Sequence, residues 1–335
     1  MRLGTLVLAA AVSAASCLSA HASQFTEIVA FGDSLSDPGN ASIGSAGLYP
    51  GPGYATRSVA GVPFPVGYYT NPQSGTGPSG LWIDQLATKL GVADPAPFLA
   101  GGTNYAVASS FTAGPNGAAP GMDAQVGLYL AAVSGTASPT ALYTLWGGAN
   151  DIFDGLNPIT AADNIANEIK ALAAAGAKDF LWPDLPALGD VPGLSGNPVL
   201  AADANLASLA FDTEWATDIT SLDALGLDVT GVNVGVLFNA VTATPSAYGF
   251  TNVTSACDTT SGCNPNTFLY WDTEHPTTAA DSLIADLAYI DAAPTPEPPS
   301  IALLAIGGIG LLALTRTRQQ NKLSPHTPPQ ALPRI

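Results

Sequence analysis

Short apolar runs that end at a turn alternate along this chain with longer stretches of helical spacing, and that alternation narrows the possible folds more than any other feature. The runs at 27–32, 104–108, 141–146 and 179–182 read as buried strands, and a β-branched stretch follows at 229–238. Between them, 80–90, 123–133, 161–175, 200–225 and 277–290 carry apolar residues at helical intervals. Ile165, Ile169 and Leu172 give the clearest spacing, and Leu283, Leu287 and Ile290 predict one face of the last helix. Uniformly apolar strands separated by helices predict a parallel sheet covered on both faces. In such sheets, sites form beyond the carboxyl ends of the strands. Ser34, Ser109 and Asn150 all fall just after predicted strand ends. Residues 38–80 show no helical period and are rich in Gly, Pro, Ser and aromatics, which predicts a long loop.

The two ends of the chain carry a different signal. Arg2 precedes a run of Ala, Val and Leu, and Ala20-His21-Ala22 supplies a small-x-small pattern. Residues 1–22 therefore read as an export signal. Near the other end, Pro294-Thr295-Pro296-Glu297-Pro298-Pro299 reads as a stiff linker. An apolar run follows, and then Arg316, Arg318 and Lys322. The stretch 298–314 would span roughly 25 Å as a helix, short of a comfortable bilayer crossing. The basic residues after it predict a cytoplasmic end, and they leave the domain outside the cell. Residues 323–335 read as a disordered tail.

Residues 23–293 are enough for one large α/β domain. The formal net charge of the chain is −17 at pH 7, and the basic residues of this middle section are Arg57, Lys89, Lys170 and Lys178. Such a surface repels phosphate backbones, which excludes nucleic-acid binding. Cys257 and Cys263 lie in one loop, and in an oxidising compartment they predict a disulfide just before the Asp272–His275 stretch. No His/Cys cluster has metal-site spacing, so neither a metal nor another cofactor is expected.

A serine on a post-strand turn needs a base before it can attack a carbonyl. Once the signal segment is removed, His275 is the one histidine upstream of the tail. Asp272, three residues before it, can orient the imidazole. About 240 residues separate Ser34 from His275, so only the fold can bring them together.

These residues carry a family resemblance. Gly32-Asp33-Ser34-Leu35-Ser36-Asp37 resembles the first block of GDSL-type SGNH hydrolases, and Gly148-Ala149-Asn150-Asp151 is similar to their Gly-x-Asn-Asp block. Asp272-Thr273-Glu274-His275-Pro276-Thr277 resembles their closing block, and Asn104-Tyr105-Ala106-Val107 the stretch before their second-block glycine. The resemblance covers essentially residues 25–291. It implies a three-layer α/β/α, flavodoxin-like fold and ester hydrolysis through an acyl-enzyme. Ser34 would be the nucleophile, His275 the base and Asp272 the orienter. The oxyanion hole would be Ser34 N–H, Ser109 N–H and the Asn150 amide. Family members commonly have Gly-Gly where this chain has Ala108-Ser109, so Ala108 is an alternative donor. The Pro-rich, apolar and basic segment at 294–322 looks like a PEP-CTERM sorting signal of Gram-negative bacteria. That likeness implies exosortase processing, with the domain on the outer surface or in the extracellular matrix; a plain membrane anchor through 298–314 is the alternative.

Substrate expectations divide. Tyr49, Tyr54, Phe64, Tyr68 and Tyr69 would suit a lipase or esterase if they line an acyl pocket, or they simply pack the long loop. The sorting tail favours a carbohydrate acetylesterase acting on extracellular polysaccharide. A non-catalytic matrix protein on a hydrolase scaffold is a third reading. Asp33 and Asp37 read as turn-formers, and Asp151 as the cap of the next helix.

Overall fold

Chain order runs through strand β1 (Glu27–Gly32), the short helix α1 (Asn40–Gly44), strands β2 (Ala55–Arg57) and β3 (Val66–Tyr68), and helices α2 (Trp82–Leu90) and α3 (Met122–Ala132). It continues through β4 (Ala141–Trp146), α4 (Ala149–Phe153), α5 (Pro158–Ala174), β5 (Asp179–Pro183), α6 (Pro198–Ala224), β6 (Asp228–Val232) and α7 (Val234–Ala243). Strands β7 (Asn252–Ala256) and β8 (Phe268–Tyr270) precede the last helix, α8 (Thr278–Ala292). The structure is a computed structural model that describes residues 25–72 and 79–292. The expected signal segment, the sorting tail and the terminal tail lie outside the described residues. Among the described residues no helix is long and apolar enough to cross a membrane.

The main sheet is parallel in the order β1-β4-β5-β6. Every residue of β4 is buried, and side chains alternate between two cores. Val29, Phe31, Tyr143, Leu145, Phe180 and Trp182 point into one, with α3, α5 and α6. Ile28, Ala30, Leu142, Trp146 and Leu181 point into the other, with α2, α7 and α8. Period-two alternation on a sheet buried on both sides makes a three-layer α/β/α sandwich. Fully burying each large side chain contributes roughly 1.5–3 kcal/mol. Two of the buried tryptophans also satisfy their polar edges: Trp146 Nε1 donates to the Asp184 carbonyl and Trp82 Nε1 to Ser36 Oγ, both at 3.1 Å, whereas Trp182 Nε1 has no hydrogen-bond partner among the described residues.

Several sequence expectations need correction. Residues 104–108 do not form a ladder strand. They run beside the free edge of β1, where Tyr105 N–H donates to the Ala30 carbonyl (2.7 Å) and Val107 N–H to the Gly32 carbonyl (3.1 Å). The stretch 229–238 is not one extended run. It breaks at Asn233 into β6 and α7, because Phe238 and Val241 bury at helical spacing beneath the sheet. The long loop 38–80 holds α1 and an antiparallel β2–β3 hairpin. On α8 the buried face is Ala280, Ile284 and Ala288. Leu283 and Leu287 sit at its margin, and Ile290 is exposed, because small alanines let the helix lie close to the sheet.

β1 is followed first by the 104–107 edge on one side and then by β4 on the other. The chain therefore reverses direction across the sheet at β1, and that switch point is where the site forms.

Candidate active site

The turn after β1 begins at Gly32. A Cβ there would lie 2.3 Å from the Trp146 carbonyl oxygen on β4, so only glycine allows the approach. Asp33 then accepts from Leu35 N–H at 3.0 Å, and its carbonyl accepts from Ser36 and Asp37 N–H. This knot lifts Ser34 out above the strand end, half-buried. Both aspartates form turns as the sequence suggests. Asp37 also accepts from Gly39 and Ala41 N–H at the start of α1, and from Ala108 N–H at 2.9 Å.

His275 arrives from the far end of the chain. Its Nε2 lies 2.8 Å from Ser34 Oγ, and its Nδ1 lies 2.7 Å from Asp272 Oδ2. Asp272 Oδ1 accepts from the backbone N–H groups of Glu274 and His275, each at 2.7 Å. Burial alone would raise the Asp272 pKa, but the His275 ring and N–H outweigh it and hold the carboxyl well below its ordinary range. Burial likewise disfavours protonated His275, and Asp272 reverses that, so its pKa lies above the ordinary 6.5.

Tyr54 was not singled out by the sequence as part of this constellation. Its hydroxyl donates to Asp272 Oδ2 at 2.6 Å, the same oxygen that faces the imidazole. Tyr69 packs its ring 4.9 Å from the His275 ring. From the same loop, Thr70 Oγ1 donates to the Pro276 carbonyl (3.1 Å) and Asn71 Oδ1 accepts from Thr278 N–H (2.7 Å). The β2–β3 hairpin thus clamps the 272–278 segment from one side. On the other, Cys257 and Cys263 are disulfide-bonded, and Asp258 N–H donates to the Trp271 carbonyl at 2.9 Å.

Ala108 N–H is engaged by Asp37, whereas Ser34 N–H and Ser109 N–H have no hydrogen-bond partner among the described residues. Ser109 has φ 66°, the left-handed region that residues other than glycine rarely adopt. The Asn150 amide follows β4 after Gly148 and donates to the Ser110 carbonyl at 3.1 Å and to Asp33 Oδ2 at 3.3 Å. Burial pushes the Asp33 carboxyl up to about 6. Asp151 does not cap a helix as expected: it lies inside α4 and accepts from Thr112 N–H (3.0 Å) and Thr112 Oγ1 (2.8 Å).

Beside Ser34 and His275 opens a cleft that is partly exposed to solvent. Its apolar wall is Leu185, Leu188, Val191, Val234 and Phe238, and Phe153 stands at its mouth. None of the loop aromatics Tyr49, Tyr54, Phe64, Tyr68 or Tyr69 lines it. Of the two readings open for these aromatics, packing is the one that fits: Tyr54 meets Asp272, Tyr68 lies under Arg57 and Tyr69 packs on His275, while Tyr49 is exposed.

The GDSL-like Lipase/Acylhydrolase family matches residues 28–288, which include every segment of this constellation. The chain belongs to that family. Among curated proteins it is 30% identical over 313 residues to an uncharacterized protein from the trpE-trpG intergenic region of Pseudomonas putida, covering 84% of this chain and 51% of that one. It is 28% identical over 182 residues to Esterase EstA of Pseudomonas aeruginosa, covering 46% of this chain and 26% of that one. With the thermolabile hemolysin of Vibrio parahaemolyticus it shares 25% identity over 288 residues, 78% of this chain and 63% of that one. The chain thus spans about half the length of the first relative and about a quarter of EstA. Among solved structures, Est24, a carbohydrate acetylesterase from Sinorhizobium meliloti, superposes with TM-score 0.42 at 14% identity, covering 83% of this chain and 99% of that one. A G-D-S-L family lipolytic protein from Veillonella parvula gives TM-score 0.42 at 16% identity, with coverage of 78% and 95%.

Proposed function

We propose that this chain hydrolyses carboxylic esters through an acyl-enzyme on Ser34, with an aliphatic acyl group seated in the apolar cleft. The observation that carries the reading is the continuous line of contacts from Ser34 through His275 to Asp272, at 2.8 and 2.7 Å. His275 Nε2 takes the Ser34 proton as Oγ adds to the ester carbonyl, and then gives it to the departing alcohol. Water repeats the sequence in reverse and releases the acid. The carbonyl oxygen, charged in between, accepts from Ser34 N–H, Ser109 N–H and the Asn150 amide. Asn150 frees a hydrogen for it by giving up the longer of its two contacts, the one to Asp33.

Membership in a lipase/acylhydrolase family and the esterase name of one relative support the reaction class. The wall of Leu185, Leu188, Val234 and Phe238 supports a longer acyl chain over acetyl. On p-nitrophenyl esters, kcat/KM is expected to rise by roughly 10–100-fold from acetate to octanoate, which corresponds to burial of about two or three of the added methylenes at about 0.8 kcal/mol each. A fluorophosphonate probe is expected to label the peptide that contains Ser34. Labelling elsewhere with full inactivation would overturn the assignment. A preference for acetyl, sustained on acetylated xylan, would move the reading to a carbohydrate acetylesterase.

The terminal segments support export, with exosortase processing near 296–298. Cells expressing the full chain are expected to hold its esterase activity outside the cytoplasm. Activity confined to the cytosolic fraction would exclude that part of the reading.

A further inference from the structure

Away from the cleft, a second cavity opens between α3, α5 and the 112–114 turn, lined by Ala113, Asp123, Val126, Asn164, Asn167 and Glu168. Glu168 is the anomaly within it. It is only 6% exposed, yet neither carboxylate oxygen has a hydrogen-bond partner among the described residues. Buried carboxyl groups are as a rule hydrogen-bonded or paired, because leaving one without a partner is costly; Asp218 and Asp281 each leave one oxygen without a partner, and Glu168 leaves both. The surroundings add to that cost: besides burial, Asp123 and Asp151 both raise the Glu168 pKa well above its ordinary value. An added positive charge would relieve all of these effects together.

We infer that this cavity binds a calcium ion, with Glu168 as its central ligand. The donors facing it are oxygens, the preference of a hard cation. Glu168 offers both carboxylate oxygens. Asp123 offers Oδ2, since its Oδ1 accepts from Gly114 N–H at 3.1 Å. Asn164 donates through Nδ2 to Thr112 Oγ1 at 3.0 Å, which leaves its Oδ1 for the ion. Asn164, Asn167 and Glu168 sit at i, i+3 and i+4, and so share one face of α5. Two carboxylates balance a dication, and the open side admits the waters that complete six to eight ligands. One contact opposes the ion: Asn167 Oδ1 accepts from Lys170 Nζ at 3.3 Å. Lys170 is exposed and can swing into solvent. Magnesium fits less well, because it demands a near-ideal octahedron at a shorter distance.

The test is calorimetric titration of the full chain with calcium chloride, alongside thermal melting. A control is required, because Asp163, Glu214 and Asp218 form a separate acidic group with oxygens within 4.8 Å of one another. The unmodified chain is expected to bind one ion in the cavity and to gain about 3 °C in Tm near saturation. Glu168→Gln is expected to lose both responses, and Asp163→Asn/Glu214→Gln to retain them. Without calcium, the Glu168→Gln protein is expected to melt no lower than the parent, because the amide removes an unpartnered buried acid. Exposed Asp123→Asn provides a second variant, with a loss of affinity of roughly tenfold or more. Absence of calcium-dependent heat and Tm shift in the unmodified chain overturns the site. So does binding that survives Glu168→Gln and Asp123→Asn but disappears in Asp163→Asn/Glu214→Gln. A magnesium response equal to that of calcium overturns the choice of ion.

Discussion

Ser34→Ala is expected to lower kcat on p-nitrophenyl octanoate by about 10⁴-fold or more, while KM changes by less than about threefold. The substitution removes one hydroxyl from a half-buried turn. It leaves the apolar wall of the cleft, His275 and the Ser34 N–H in place, so binding survives while the acyl-enzyme cannot form. The fold should be unaffected, because the turn is tied by Asp33, Asn40 and Asn104 rather than by Ser34: Asn40 Nδ2 donates to the Asn104 and Ala106 carbonyls at 2.9 and 2.8 Å, and Asn104 Nδ2 to the Ser36 carbonyl at 2.8 Å. Steady-state kinetics with a melting curve on the same preparation checks both halves. A loss below about tenfold would mean that Ser34 is not the nucleophile.

Asp272→Asn is expected to cost nearly as much, about 10⁴-fold in kcat, and for a reason visible in the backbone. The position of Asp272 Oδ1 accepts from two N–H groups, Glu274 and His275. An asparagine must place its carbonyl oxygen there. Its NH₂ then takes the Oδ2 position and donates to His275 Nδ1. That puts the imidazole proton on Nε2, facing Ser34, where it cannot accept the serine proton.

The pH profile separates this from simple disruption. With Asp272 present, the His275 pKa lies above 6.5. Activity is therefore expected to fall with acidification from a point above that value. The neutral asparagine no longer favours the imidazolium, so the residual activity should hold to lower pH. Tyr54→Phe should move the limb the other way. Loss of its hydroxyl concentrates charge on Asp272 and raises the His275 pKa further, and kcat falls by about tenfold through loss of one charged hydrogen bond. An acid limb in the same place for all three proteins would rule out Asp272 and Tyr54 as the groups that set the imidazole.

The same pair bears on stability, with opposite signs. Asp272 has a depressed pKa, so its contribution is present above the ordinary 3.8 and is lost as pH falls below it. His275 has a raised pKa, so its contribution is full below 6.5 and fades as pH rises through the higher folded value. The pair holds the 272–278 segment most firmly in weakly acidic solution, whereas catalysis needs the neutral imidazole at higher pH.

Much of the fold was legible because strands buried on both faces must be apolar throughout. Residues 27–32, 141–146 and 179–182 announce themselves in that way. The 104–108 run carries the same signal but pairs only at single positions along β1, and composition cannot distinguish an edge segment from a ladder strand. The 229–238 run failed for a related reason. β-branched residues suit a strand, yet burial of Phe238 and Val241 under the sheet favours a helix there.

The sequence by itself determined the chemistry on offer: a serine, an aspartate and a histidine of suitable type, each in a local turn whose glycines, aspartates and prolines act over a few residues. Local rules suffice for that, because Gly32, Asp33 and the Asp272–His275 loop are stabilised by neighbours in the chain. Only the tertiary structure decided which distant groups serve that set. Tyr54 could have been another pocket wall, and packing turned its hydroxyl onto Asp272. The apolar wall of the cleft is built from residues 185–191 and 234–238, far in sequence from the aromatic loop. Glu168 reads as an ordinary helical glutamate until α3 closes over it. Contacts of that kind have no sequence period, since they depend on which faces of the three layers meet once the sheet has assembled.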